Sequence, residues 1–219
     1  MRMTNDALRS ARQQAEDLLS RTVSRIELSM AAAADEEPLE QAREGVLTLY
    51  NAWSRLWISD ALRQGALEPE TAVFGVTALL RRVGDEAREA LSDRGIGFGV
   101  QTGNGLAAWG DEEAVETLLW LLLAARVAAG DRRITLDART EDGRVRFSVR
   151  GEPGTGTLAE AETREALARQ LAAVLDAPLG REGDTVSFRL PRAPEDRLAA
   201  PVREAIPGIS RAELELAGL

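Results

Sequence analysis

EEAVETLLWLLLAARVAAG, residues 112–130, is the stretch that decides the fold of this 219-residue chain. Its first turn is acidic, which a helix N-terminus favours, and it closes at Gly130, a residue type that commonly ends a helix. Residues 118–125 are apolar without interruption, so the predicted helix has no polar face and should lie buried. A membrane span is the competing interpretation, but the apolar run is too short and its flanks are charged.

A predicted β-hairpin follows directly and gives this helix a surface to pack on. Apolar and polar residues alternate in RITLDAR, residues 133–139, and again in VRFSV, residues 145–149. The Asp142-Gly143 pair between the two arms favours a tight two-residue turn. The sequence therefore predicts a helix buried under an antiparallel sheet.

Further elements on both sides complete an α+β domain. The patterns predict two more helices, from Thr71 to Ser92 and from Leu158 to Asp176. They also predict two strands, from Arg94 to Val100 and from Thr185 to Leu190, and one extended segment from Leu106 to Trp109. A short linker precedes them, so the predicted domain covers residues 67–192. Residues 193–219 are rich in Pro, Ala and charge, which predicts a flexible tail carrying a weak helix from Arg211 to Leu216.

Two long amphipathic helices precede this domain, over residues 5–34 and 38–64. Apolar residues in the second helix keep a heptad-like spacing, at Leu39, Ala42, Val46, Leu49, Trp53 and Leu56. Such a seam is typical of helices that pack in a bundle. Residues 1–66 are therefore predicted to form an antiparallel helical hairpin, which becomes a four-helix bundle in a homodimer. The alternative is a hairpin that packs onto the C-terminal domain of its own chain.

The composition excludes several kinds of chemistry. The chain has no Cys and no His, and all 27 of its basic residues are Arg. No disulfide, Cys/His metal site, Ser-His-Asp triad or phosphohistidine can form in it, and we predict no metal site and no catalytic residue. The net charge of −9 argues against nucleic-acid binding. The polar N-terminal helix has no apolar core like that of a signal peptide, so we expect a cytoplasmic protein with no membrane contact.

A buried leucine-rich helix, a strand hairpin, a glycine loop, a further helix and a last strand ending in Leu-Pro resemble, in this order, the ATP-binding domain of sensor histidine kinases. In that family the buried helix carries an asparagine that holds the magnesium of Mg-ATP, and the matching position here is Ala124. The loop after the hairpin normally reads Asp-x-Gly-x-Gly, but here it reads GEPGT, residues 151–155, with Gly151 at the Asp position. The second glycine motif is missing and the loop is too short for an ATP lid. The resemblance therefore implies a degenerate nucleotide site at Ala124, Gly151 and Gly154, without ATP or another cofactor.

The phosphoacceptor histidine of the family also has a counterpart position here. It falls near Asp17, with Glu16 equally eligible. A fixed carboxylate there would imitate a charged phosphorylated site; the alternative is an ordinary solvent-facing acid. The chain is also similar to dimeric histidine phosphotransferases, which join a helical hairpin to an ATPase-like domain that no longer binds ATP, but it lacks their histidine.

These observations favour a non-catalytic interaction protein. We expect it to bind a signalling partner, either a response-regulator receiver domain or a histidine kinase, and to modulate a phosphorelay. The expected partner-binding face combines the outer side of the first helix with the facing turn of the second, at Asp17, Ser20, Arg21, Ser24, Asn51 and Arg55. Two alternatives remain open. One is an ATPase-like anti-sigma or scaffold module that binds a transcription regulator; the other is a receiver phosphatase in which Ser20, Thr22 or Asn51 places a water.

Overall fold

The computed structural model describes residues 19–28, 37–154, 158–194 and 209–217. In chain order the elements are α1 (residues 19–28), α2 (Glu37–Gln64), β1 (Ala72–Gly75), α3 (Val76–Ser92), β2 (Gly97–Thr102), β3 (Ala107–Gly110), α4 (Glu112–Ala128), β4 (Arg133–Glu141), β5 (Arg144–Glu152), α5 (Leu158–Val174), β6 (Gly180–Glu182), β7 (Thr185–Pro191) and α6 (Arg211–Leu216). The chain divides into two compact units. The first contains Met1–Glu68 together with Arg203–Leu219, and the second is Pro69–Val202.

The second unit is built on a five-stranded sheet with the strand order β2-β4-β5-β7-β6. Strands β2 and β4 are parallel, and the other neighbours are antiparallel. A separate two-stranded sheet pairs β1 with β3. Helix α4 packs against α3, α5 and β5, so it lies at the centre of this unit. This is the α+β arrangement that the sequence predicts.

Helix α4 is buried on nearly every side, as its apolar composition predicts. The side chains from Leu118 to Ala125 are all buried. The Asp111 carboxylate caps the first turn by accepting a hydrogen bond from the backbone N–H of Ala114 at 3.0 Å. The one acid deep in the helix, Glu116, is paired with Arg82 of α3 at 2.7 Å. In the described part of the chain, no helix combines the length and apolarity needed to cross a membrane.

The predicted hairpin is confirmed in both its arms and its turn. Asp142 and Gly143 have φ values of 49° and 73°, which places both in the left-handed region, as a type I′ turn requires. The register puts Phe147 of β5 opposite Phe188 of β7, and their rings stack with centroids 4.8 Å apart. This stack lies on the same face of the sheet as the buried apolar residues at alternate positions of β5 and β7.

Two strands of the second unit differ from the sequence prediction. The stretch from Thr71 to Ser92 is not one helix, because Val73 and Phe74 pair with β3 before α3 begins at Val76. β-Branched and aromatic residues fit such a pairing, and the tertiary contact overrides their helical spacing. Strand β6 was not predicted, because its three residues are all exposed and carry no apolar alternation.

In the first unit, α1 and α2 form the predicted helical hairpin. Glu27 of α1 pairs with Arg43 of α2 at 3.5 Å. Val23 lies one turn before Glu27 in α1, and Leu47 lies one turn after Arg43 in α2. These two residues share a buried cluster. This is the order expected of antiparallel helices. The rest of the predicted first helix, with Asp17 and Glu16, lies outside the described residues.

The described part of the C-terminal segment, residues 209–217, is packed, and its helix covers the predicted residues Arg211–Leu216. Residues 195–208 and 218–219 of the predicted flexible tail lie outside the described residues. Three residues of this segment share one buried cluster with three of the hairpin, namely Ile209, Leu214, Ala217, Leu19, Val23 and Leu47. Helix α6 begins with a capping box, in which Ser210 Oγ and the Glu213 carboxylate each accept a hydrogen bond from the other residue's backbone N–H. A capped helix with one apolar face has a surface to bury, and the hairpin supplies the partner surface.

Candidate functional site

Ala124, the predicted counterpart of a magnesium-binding asparagine, is wholly inside the second unit. Its side chain is fully buried in the middle of α4, and it offers no oxygen or nitrogen to a ligand. Its helical neighbours Leu123 and Ala125 are also buried. The position therefore contributes packing.

The loop that follows β5 lies directly on the C-terminal end of α4. A Cβ atom added to Gly154 would overlap the carbonyl of Gly130. A Cβ atom added to Gly151 would overlap the carboxylate of Asp131 and would touch Arg126. Gly154 is thus required by close packing of one backbone on another, and Gly151 by its contact with the side chains of Asp131 and Arg126. Both roles differ from cradling a phosphate. The side chain of Asp131 occupies the space next to Gly151 that a larger side chain at that position would need.

A buried ion pair lies beneath this loop. Arg126 Nη1 is 3.8 Å from Asp131 Oδ2, and both side chains are about nine-tenths buried or more. Burial lowers the pKa of Arg126, with the charge of Asp131 opposing the change, and burial raises the pKa of Asp131. Neither Arg126 Nη2 nor Asp131 Oδ2 has a hydrogen-bond partner. The pair is therefore held in place at a cost in desolvation, and the geometry is too long for a strong hydrogen bond.

Contacts from neighbouring elements surround the same corner. The backbone N–H of Gly151 donates to the carbonyl of Asp184 at 3.2 Å, which joins the start of the loop to the turn before β7. Arg181 of β6 reaches Glu165 of α5 at 3.1 Å. Helix α5 packs along α4. Loop, sheet edge and two helices thus meet around Asp131.

The predicted partner-binding residues differ in their exposure to solvent. Arg21 and Ser24 of α1 are exposed and Ser20 is half-buried. Asn51 of α2 is only 3% exposed, because its Nδ2 donates to the carbonyls of Glu215 at 3.1 Å and Ala217 at 3.3 Å. The structure therefore does not present Asn51 to a partner while α6 is in place.

Arg55 and Asp17 complete the predicted set. Arg55 is half-buried, and its Nε donates to the Asn51 backbone carbonyl one turn earlier at 3.4 Å. Asp17 lies outside the described residues. The α1 part of the expected face is thus accessible, whereas its α2 part is engaged within the chain.

An apolar stripe remains uncovered on another side of α2. Leu49 and Leu56 are each 72% exposed and Trp53 is 39% exposed. Their spacing places them on one side of the helix, and all three belong to the predicted seam. Leu28 of α1 is exposed to the same degree. We call Leu49, Trp53 and Leu56 the open stripe.

Sequence reasoning missed Arg126 and Asp131. The only signal was a charged residue near the end of an apolar helix and an acid just beyond Gly130. A charge there is usually solvated, so its burial depends on the loop that folds over it. In the described ranges, no group of three or more acidic residues is placed to hold a metal ion.

Comparison with known proteins identifies the fold. No protein-family model matches the sequence, and no curated protein matches it. The histidine kinase AdeS of Acinetobacter baumannii superposes with a TM-score of 0.59 at 10% identity, over 82% of this chain and 96% of that structure. Full-length ShkA in complex with AMPPNP superposes with a TM-score of 0.61 at 20% identity, over 92% of this chain and 48% of ShkA, so this chain spans about half of it.

A third similar structure is the histidine kinase ThkA in complex with the response regulator protein TrrA. It has a TM-score of 0.50 and 21% identity, over 86% of this chain and 62% of that one. The chain therefore has a histidine-kinase-type fold, an N-terminal helical part followed by an ATPase-like α/β sandwich.

The Gly154→Ala variant tests the packing of the loop on α4. The new methyl group overlaps the Gly130 carbonyl, so the loop must shift and the free energy of unfolding should fall by about 1–3 kcal/mol. Gly45→Ala is the control, since it lies in α2 with open space around it and should raise the free energy of unfolding by about 0.5–1 kcal/mol. Urea unfolding measures both. Equal stability of Gly154→Ala and the wild type would contradict the close contact.

The Asp131→Asn variant tests the buried carboxyl through pH. Because its folded pKa is raised, the folded protein binds this proton more tightly than the unfolded chain. Protonated Asp131 therefore stabilises the folded state at low pH. This stabilisation is lost as the pH rises from 3.8, the ordinary pKa of the carboxyl, through the raised pKa of the folded state. The loss is at most about 1.4 kcal/mol per pH unit.

The stability difference between the wild type and Asp131→Asn should therefore change with pH across that window in urea unfolding. A pH profile of Asp131→Asn parallel to that of the wild type would show that this carboxyl is solvated.

Proposed function

We propose that this chain is a non-catalytic signalling protein that uses a histidine-kinase-type fold to bind a partner and modulate a phosphorelay. The partner is a response-regulator receiver domain or a histidine kinase, and the helical hairpin carries the binding face. The single observation that carries the proposal is the combination of this fold with a chain that contains no histidine. Such a chain has no side chain that could accept a phosphoryl group as a phosphohistidine.

The geometry at the end of α4 supports the absence of nucleotide chemistry. Ala124 supplies no ligand for magnesium, and Gly151 supplies no carboxylate for a base. The loop at Gly154 lies on the backbone of Gly130, where a nucleotide site would need space. Each of these features alone would weaken ATP binding, and they occur together.

The open stripe supports a homodimer. Large apolar side chains on one side of a helix are costly to leave in water, at about 1.5–3 kcal/mol for each one buried. The hairpin of a second copy would offer the same stripe, which is the self-complementary arrangement of a two-fold dimer. Four helices would then enclose the stripe in a bundle. A monomer would instead favour the scaffold alternative.

The Leu49→Ser/Trp53→Ser double variant tests the homodimer. Light scattering during gel filtration should give the wild type a mass twice the 23.7 kDa of the chain, and the double variant the mass of one chain. Trp109→Ser is the control, since Trp109 lies in β3, is comparably exposed and should leave the dimer intact. A monomeric wild type would contradict the dimer.

Crosslinked affinity capture from the native cell, followed by mass spectrometry, tests the partner. We expect a protein with a receiver domain, or a histidine kinase, to be retained by the wild type. Arg21→Glu/Ser24→Glu changes the exposed part of the binding face and should lose that protein, because two acids replace a cation and a small hydroxyl group. Arg63→Glu, exposed near the end of α2, is the control and should retain it.

Two outcomes would overturn the proposal. Recovery of a sigma factor or another transcription regulator, with no receiver or kinase, would mean that the fold has been reused. Retention of the receiver by Arg21→Glu/Ser24→Glu would mean that the binding face is elsewhere.

A further inference from the structure

Helix α6 covers part of the face that we assign to the partner. Asn51 belongs to that face, and its side-chain amide donates hydrogen bonds to two carbonyls at the end of α6. Leu19 and Val23, which contribute to the cluster under α6, directly precede Ser20 and Ser24 in α1. The site for α6 and the proposed site for the partner therefore overlap at Asn51 and adjoin along α1.

The contact between α6 and the hairpin has a defined polar frame. Arg43 of α2 donates from Nη2 to Glu213 of α6 at 2.5 Å, and the same guanidinium lies 3.5 Å from Glu27 of α1. Asn51, two turns further along α2, holds the opposite end of α6. One polar side chain of α2 thus holds each end of the short helix, and this sets its direction on the hairpin.

Apolar side chains of the C-terminal segment are buried between these two ends. Ile209, Leu214 and Ala217 share a cluster with the hairpin, and Ala212 and Leu216 of α6 are buried as well. Helix α6 has six residues, which is far below the length at which an isolated helix is stable in water. It therefore depends on the hairpin for its structure, while the hairpin has a second apolar side of its own. A helix that cannot keep its structure alone is suited to exchange with a partner.

We propose that α6 is a latch that acts within its own chain, occupying the hairpin face that the signalling partner uses, so that α6 and the partner bind this face in turn. The inference rests on the proposed function. It adds that α6 covers the binding face when no partner is present. The measured affinity for a partner is then the intrinsic affinity multiplied by the fraction of molecules in which α6 is released. Tethering gives α6 a high effective concentration at the face, so a partner must outcompete it.

The test weakens α6 from its own side and leaves the hairpin unchanged. Leu214→Ala removes a buried contact, and Glu213→Gln removes the ion pair to Arg43 with little change in shape. Glu44→Gln, exposed in α2 next to Arg43, is the control for the charge change, and Val174→Ala on α5 is the control for the apolar truncation. All four variants are made in the full chain, and circular dichroism checks that each is folded.

Two ligands are titrated into each variant. The first is a labelled synthetic peptide of residues 208–219, GISRAELELAGL, followed by fluorescence anisotropy. The second is the purified receiver or kinase identified by affinity capture. Both should bind Leu214→Ala at least about tenfold more tightly than the wild type, with a smaller gain in Glu213→Gln and none in the two controls. Excess peptide should displace the partner from Leu214→Ala.

Each other outcome has a definite meaning. Partner affinity that is unchanged or weaker in Leu214→Ala and Glu213→Gln would overturn the latch and make α6 a permanent third helix of the hairpin. Tighter binding of the peptide in those variants, with no partner binding to any variant, would contradict the proposed function and leave the exchange of α6 standing.

Discussion

The burial of α4 on all sides is the constraint on which the second unit depends. A helix with eight consecutive apolar residues has no face that can be left in water, so it must be enclosed by the sheet on one side and by helices on the others. This requirement places the hairpin β4–β5 beside α4 and brings α5 along it. Polar groups next to α4 can then reach the surface of the unit at its ends, and the C-terminal end is where Asp131, Gly151 and Gly154 meet.

Close packing fills the corner at Asp131, Gly151 and Gly154. A carboxylate from the end of α4 lies where a side chain at Gly151 would be, and its neighbour Arg126 is the only cation within ion-pair distance among the described residues. A buried ion pair of this length contributes little to stability, since both charges are desolvated and two polar atoms lack partners. Its effect is to fill the corner. The loop at Gly154 lies directly on the backbone of Gly130, and this packing supports the proposal that the chain signals by binding.

The first unit shows the complementary situation. Its hairpin has one apolar side covered by α6 and another, the open stripe, left uncovered in a single chain. The two sides suit two different partners. The open stripe fits a permanent association with a second copy, because Leu49, Trp53 and Leu56 are large and are costly to expose. The side under α6 is framed by Arg43 and Asn51 and is covered by a helix of only six residues, which suits the proposed contact that forms and breaks.

Periodicity was sufficient to predict most of the fold. The buried helix, the hairpin with its Asp142-Gly143 turn, and the ranges of α2 and α5 follow from patterns that span many residues, and such patterns survive tertiary context. The prediction was wrong at β1 and missed β6, because both are too short for alternation to outweigh a neighbouring helix or a polar loop. The docking of α6 was also beyond a local pattern, since it depends on Asn51 lying more than 160 residues away.

The candidate site was predicted only in part, for a related reason. The positions of Ala124, Gly151 and Gly154 follow from their place relative to α4 and the hairpin. The role of the two glycines follows from contacts with Gly130 and Asp131 that no linear pattern contains.

Titration of Mg-ATP into the full chain, followed by saturation-transfer NMR of the adenine protons, tests the central claim most directly. We expect no transfer to those protons at millimolar nucleotide, because Ala124 of α4 offers no ligand for magnesium and the loop at Gly154 lies on the end of that helix. Saturable transfer to the adenine protons would mean that a nucleotide site is open, and it would contradict a function that rests on binding alone.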